Sequence, residues 1–387
     1  MTATILMPRI MTIGAGASLE AAAVLARLGL SRPLVVTDPY LRQSGMLDRF
    51  TAGLDAAGLV WGLFAEVVPD PTTQSIAAGL AALRGKDYDC LLAFGGGSPI
   101  DTAKAMAVLA THGGQMRDYK VPVVVDRPAM PLIAVPTTAG TGSEVTRFTV
   151  VTDTETSEKM LCVGTAFLPA AALVDYELTL TMPARLTADT GIDSLTHAIE
   201  SYVSRRANPF SDAMALRAMT LIAAHVRTAC RQPDDRPARE AMMLGATLAG
   251  IAFSNASLAL VHGLSRPIGA FFHVPHGLSN AMLLPTVTAF SAPAALGRYA
   301  DCARAMGVAA PGARDEAAVA ALLDELRRLN ADLDVPTPSA WGIAADDWFG
   351  KIETMADQAI ASGSPANNPR VPTRDEILSL YRAVWDS

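Results

Sequence analysis

The chain has 387 residues, half of them hydrophobic and 18% charged, which is ample apolar material for two domains with large cores. Its net charge of −7 gives no reason to expect nucleic acid or an anionic membrane as a partner. Cys90, Cys162, Cys230 and Cys302 are widely spaced and form no CxxC, a pattern that fits reduced thiols. The first residues lack the basic-then-apolar pattern of a secretory leader, so a cytoplasmic protein is expected. The longest apolar run, about 242–261, is broken by Ser254, Asn255 and Ser257 and reads as a buried helix, not a membrane span.

From the start, the pattern alternates strand, turn and helix. Gly14 and Gly16 make a turn, residues 18–28 have helical apolar spacing, and Gly29 is placed to end that helix. The apolar run at 33–38 has the character of a parallel strand covered on both faces, and Asp38 stands at its C-terminal end, where α/β sheets bind ligands. A helix (44–57), a strand (59–66) and a helix (74–84) are expected next. In "DCLLAFGGGSPIDTAK" a strand runs into Gly95, Gly96, Gly97 and Ser98 and then a helix. Glycines there let the backbone approach a pyrophosphate at the helix N-terminus, although this is not the GxGxxG fingerprint. Asp101 is placed to cap or hold that turn. The stretch 131–153 reads as a strand, a loop with Thr137, Thr138, Thr141 and Ser143, and another strand. The alternation predicts an α/β domain with a mostly parallel sheet over residues 1–183.

After Pro183 strand-like runs nearly vanish. Helices are expected at 187–203, 212–229, 236–260, 288–306, 314–329, 345–361 and 373–385, an all-α domain over 184–387. Thr187 and Ser211 are expected as N-caps, and Thr373 with Glu376 as a capping box. Asp193 and His197 are four apart, so on a helix they lie about 40° apart on one face. His262 and His276 could complete a site of one carboxylate and three imidazoles, a set that suits Fe(II), Zn(II), Ni(II) or Co(II) better than Mg or Ca. The spacing alone leaves open whether these residues converge. Such a site, starting at the domain boundary, is expected in the cleft between the domains.

Five ordered segments, "FGGGSPIDTAK", "PTTAGTGSEVT", "TGIDSLTHAIESY", "HVPHGLSNAMLLP" and "NPRVPTRDEILSLYRAVW", resemble the iron-containing (group III) alcohol dehydrogenase family from about residue 12 to the C-terminus. The resemblance implies an N-terminal dinucleotide-binding α/β domain and a helical C-terminal domain, an architecture like that of dehydroquinate synthase. It implies hydride transfer between NAD(H) and a small alcohol, aldehyde or ketone, with a metal as Lewis acid. By resemblance Asp193, His197, His262 and His276 are the metal ligands, Fe(II) being the expected ion and Zn(II) the other candidate. Gly96, Gly97 and Ser98 would meet the pyrophosphate, Thr137 and Thr138 the adenine and phosphate portion, and Asp101 and Ser143 would help hold the dinucleotide. Asp38 would sit beside the adenosine ribose and favour NAD over NADP. A homodimer is implied too.

One position departs from the family. Many members carry a histidine four residues after the third ligand, as proton relay, and this chain has Arg266, which cannot shuttle a proton near neutral pH. His273 is the other nearby imidazole and is expected to take over the relay. Arg266 is expected either to pair with a protein acid or to hold a substrate carboxylate, and with Arg147 it motivates an alternative reading as a reductase of a carboxylate-bearing carbonyl such as maleylacetate. A lyase like dehydroquinate synthase is a further alternative, but the scarcity of lysine in the helical half argues against it. Phe148 and Phe253 are candidates for the substrate wall.

Overall fold

The computed structural model describes residues 2–156 and 158–385. The chain divides into two compact units, one spanning Leu6–Thr181 and the other made of the chain from Met182 onward together with the residues up to Ile5.

The first unit is built on a six-stranded sheet in the order β1-β8-β5-β4-β2-β3, with β1 Ile10–Ile13, β2 Pro33–Val36, β3 Gly62–Phe64, β4 Cys90–Gly95, β5 Leu132–Pro136 and β8 Ala171–Val174. Every pairing in it is parallel. The helices are α1 Ala21–Leu28, α2 Pro39–Gln43, α3 Met46–Ala56, α4 Thr73–Leu83 and α5 Gly97–His112. A core lies on each face of the sheet. Cys90, Leu92 and Phe94 of β4 pack with α1 and α3, while Leu91 and Ala93 pack with α5. That two-residue alternation is why the strands read as unbroken apolar runs. A separate antiparallel pair, β6 Phe148–Thr152 with β7 Lys159–Val163, follows β5. The chain leaves β2 towards β3 and leaves β4 towards β5, in opposite directions, so the neighbouring ends of β2 and β4 form the switch point where such sheets bind ligands.

The second unit holds α6 Ala184–Val203, α7 Pro209–Arg231, α8 Arg236–Ala256, α9 Leu260–Phe272, α10 His276–Ser291, α11 Leu296–Ala305, α12 Asp315–Asp332, α13 Pro338–Trp341, α14 Ala345–Ala361 and α15 Arg374–Val384. Helix α6 is central, buried almost continuously from Thr187 to Val203 and packed on α7, α8 and α10. Among the described residues no single helix is long and apolar enough to cross a membrane.

Several local expectations need correction. The helix expected at 44–57 is α3, which starts after Gly45 at φ 74°, and the short α2 before it was not expected. Thr187 is no N-cap: α6 begins at Ala184, and the Thr187 hydroxyl donates back to Pro183 O inside the helix. Asn208, not Ser211, caps α7, and Ser211 completes the capping box from three residues on. Thr373 and Glu376 do form their box. Helix α8 stops at Ala256, where Ser257 takes φ 87°, and the chain bends 105° into α9. The helix expected at 288–306 is α10 and α11, separated by the 3-10 turn Ala292–Ala294. Pro267 and Pro285 lie inside α9 and α10; the second hid α10, since proline argues against a helix interior unless packing compensates for the lost hydrogen bond.

Candidate metal and cofactor sites

Helices α6, α9 and α10 bring Asp193 and His197, His262, and His276 and Asn280 to one place. One ligand atom from each of Asp193, His197, His262 and His276 lies within 4.8 Å of all the others. From Asp193 Oδ1, the Nε2 atoms of His197, His262 and His276 are 3.7, 3.5 and 3.7 Å away. These separations are long for hydrogen bonds. Ligand atoms at about 2.1 Å from a common ion in a tetrahedron lie about 3.4 Å apart, so the cluster has the dimensions of a metal site. The donor set of three imidazoles and a carboxylate fits a divalent transition ion. Asp193, His197 and His262 are buried, while the His276 side chain is 39% exposed and marks the open side.

Electrostatics agree with that role. Burial pushes the Asp193 carboxyl up, but His197, His276 and His262 outweigh it and hold the group below the usual carboxylate range. The His197 and His262 rings stack with centroids 4.6 Å apart, and the Phe253 ring lies tilted against His197 at 4.5 Å. Phe253 therefore packs on a ligand. Phe148 belongs to β6, where its carbonyl accepts from Lys104 Nζ at 2.7 Å.

Two residues around the cluster escaped the sequence reading. Glu200 shares a face of α6 with Asp193, seven residues away, and its Oε2 is 2.7 Å from His262 Nδ1. Asn280 Nδ2 donates to Asp193 Oδ1 at 2.6 Å and lies 3.0 Å from His262 Nε2. Helical spacing from a proposed ligand places each on the right face of its helix, but not against its distant partner.

Gly277 is needed for α10 to approach α6. A Cβ there would stand 2.3 Å from Asp189 O and 3.2 Å from Asp193 Cβ. Gly277→Ala is expected to destabilise the protein by about 1–3 kcal/mol and to weaken metal binding by shifting His276. A denaturation midpoint and metal titration equal to the parent would contradict this.

Arg266 is largely buried and donates to Ser364 Oγ at 3.0 Å. Burial lowers its pKa to about 10, and the charge that opposes the shift is Glu200. His273 is exposed at the C-terminus of α9, in the left-handed region with φ 53°.

In the first unit, Gly96 is the N-cap of α5, and no side chain caps that end. A Cβ on Gly96 would meet the Thr138 side chain at 3.2 Å, and one on Gly97 would meet Thr141 at 2.9 Å, so the turns after β4 and β5 lie against each other. Thr137 is buried and its N–H donates to Gly95 O. Asp101 accepts from Ser143 Oγ at 2.6 Å and from Val150 N at 3.0 Å, so these two candidate residues are bonded to one another and tie the loop to α5. Ser98 Oγ accepts from Asp70 N at 3.3 Å. Asp38 follows β2 and caps α2, its Oδ1 accepting from Leu41 N at 2.9 Å. Asp38 and Gly95–Gly97 thus flank the switch point from its two strands.

The profile of iron-containing alcohol dehydrogenases matches residues 8–176, and that of the Fe-containing alcohol dehydrogenase family, C-terminal, matches residues 187–385. This chain belongs to the iron-containing alcohol dehydrogenase family. It is 38% identical over 362 residues to lactaldehyde reductase of Escherichia coli, covering 93% of each chain. It is 36% identical over 377 residues to the NAD-dependent methanol dehydrogenase of Bacillus methanolicus, covering 97% of this chain and 98% of the other. The crystal structure of a 1,3-propanediol oxidoreductase superposes with a TM-score of 0.95 at 36% identity, covering 99% of this chain and 100% of that one. As an iron-containing alcohol dehydrogenase the protein is an oxidoreductase of small alcohols and aldehydes.

Proposed function

We propose that the protein transfers hydride between NAD(H) and a small neutral alcohol or its aldehyde, with a divalent ion, iron by family, held by Asp193, His197, His262 and His276. The observation that carries this reading is the convergence of those four ligand atoms at metal-site spacing. When bound, the ion supplies Lewis acidity for an alcohol or carbonyl oxygen. The three imidazoles would hold it as neutral ligands and the Asp193 carboxylate would cancel part of its charge, while the exposed His276 side leaves an approach for substrate. The first unit would take the dinucleotide at the switch point, with Gly96, Gly97 and Ser98 at the pyrophosphate, Thr137 and Thr138 beside it, and Asp38 at the ribose. Asp101 and Ser143 would act by fixing the loop. His273 is proposed as the residue that passes the proton between substrate and solvent, in keeping with its exposure.

Arg266 motivated an acidic substrate. Its hydrogen bond to Ser364 and its counter-charge on Glu200 favour neutral alcohols instead. The names of the relatives direct the choice of methanol, 1,2-propanediol and 1,3-propanediol as first substrates. We also propose a homodimer, by family resemblance, and a cytoplasmic location, which the four free cysteines support. The test is NAD reduction by the metal-loaded enzyme across a panel of short alcohols, diols and 2-hydroxy acids. Turnover of at least one neutral alcohol is expected, with little or none of the acids. Exclusive use of the hydroxy acids would reverse the substrate assignment.

A further inference from the structure

Glu200 is a buried carboxylate, 3% exposed, in the middle of the apolar interior of the second unit. Such a group is costly unless fully bonded. It accepts from Val261 N at 2.5 Å, Ala259 N at 3.2 Å and His262 N at 3.4 Å, and it meets His262 Nδ1 at 2.7 Å. Helix α9 has no side-chain cap of its own, and Glu200 reaches across from α6 to cover its first amides. A carboxylate has about four lone-pair sites, so these four donors fix it in place. An ionised carboxylate only accepts, so Nδ1 of His262 must carry the proton. The opposite nitrogen is compatible with that tautomer: Nε2 lies 3.0 Å from the Asn280 amide nitrogen, a donor that a lone pair there accepts from.

We propose that Glu200 is a positioning residue for the metal site, locking His262 in the tautomer whose Nε2 lone pair faces Asp193, His197 and His276, and adding its negative charge behind that ligand. Carboxylate partners of ligating histidines orient the ring and raise its basicity. The inference rests on the metal reading above.

The test uses Co(II) as the metal probe on the full chain, with affinity read by chelator competition and ligand field by the d–d absorption bands. Glu200→Gln keeps the shape, removes the charge and leaves only one oxygen to accept. It is expected to weaken Co(II) binding 10- to 100-fold and to shift the bands, while in a His262→Ala background the same change adds nothing. A helix cap with no other role would lower the melting temperature but leave the bands of the folded protein unchanged. Wild-type affinity and spectrum in Glu200→Gln, or an equal loss with and without His262, would overturn the proposal. Should the variant not fold, 15N NMR of the histidines in the Zn(II)-loaded wild type decides. The resonance lost in His262→Ala is expected to be an Nδ1–H far downfield, and its absence would overturn the proposal. A wild type that binds no Co(II) at all would overturn the metal reading and this inference with it.

Discussion

His197→Ala is expected to empty the metal site while leaving a folded chain. His197 lies within α6, whose Ile192, Leu195, Ala198 and Ile199 are at most 1% exposed, so apolar packing holds the helix without this imidazole. Losing an outer-layer partner of a ligand typically costs 10- to 100-fold in metal affinity, so losing one of the four ligands should cost roughly 100-fold or more. NAD-linked alcohol oxidation should fall with occupancy, to below about 1% of wild type at matched metal concentration. Metal analysis of the purified variant, with circular dichroism to establish folding, makes the check. Full occupancy in a folded variant would remove His197 from the ligand set.

The second large effect is on cofactor choice. Wild type is expected to prefer NAD over NADP by roughly 30-fold or more in kcat/KM, the equivalent of about 2 kcal/mol of repulsion between Asp38 and a 2′-phosphate. Asp38→Gly should remove most of that preference, lowering kcat/KM for NAD by about 10-fold through the lost ribose hydrogen bond and raising it for NADP. Asp38 also caps α2, but glycine at an N-cap costs only about a few tenths of a kcal/mol, so folding should survive. Metal content should not change. Equal kcat/KM for the two cofactors in the wild type would show that Asp38 does not face the ribose.

What the sequence made legible follows from how local each signal is. The parallel sheet was readable because β2, β4 and β8 are buried on both faces and so consist of apolar runs. Gly95–Gly97 and Asp38 could be placed because each directly follows such a run. Asp193 and His197 announce themselves within one helical turn. The roles of Glu200 and Asn280 were not legible, because each is defined by a partner far along the chain: His262 lies 62 residues from Glu200, and Asp193 lies 87 residues from Asn280. Arg266 could be read from sequence only as a departure from the family, since nothing local says that Ser364, 98 residues away, receives its hydrogen bond. Helix α10 escaped because its internal proline, Pro285, masked its periodicity. Two caps were misplaced for a simpler reason. Thr187 and Ser211 are typical capping residues, but Pro183 and Asn208 start those helices three or four residues earlier.

Metal dependence is measured most directly as NADH formation at 340 nm by one preparation, first stripped of metal and then reloaded anaerobically with Fe(II), with 1,3-propanediol and NAD as substrates. Activity is expected to be absent in the stripped protein and to rise in proportion to iron, saturating at about one ion per chain. Equal activity in the stripped and the reloaded protein would contradict it.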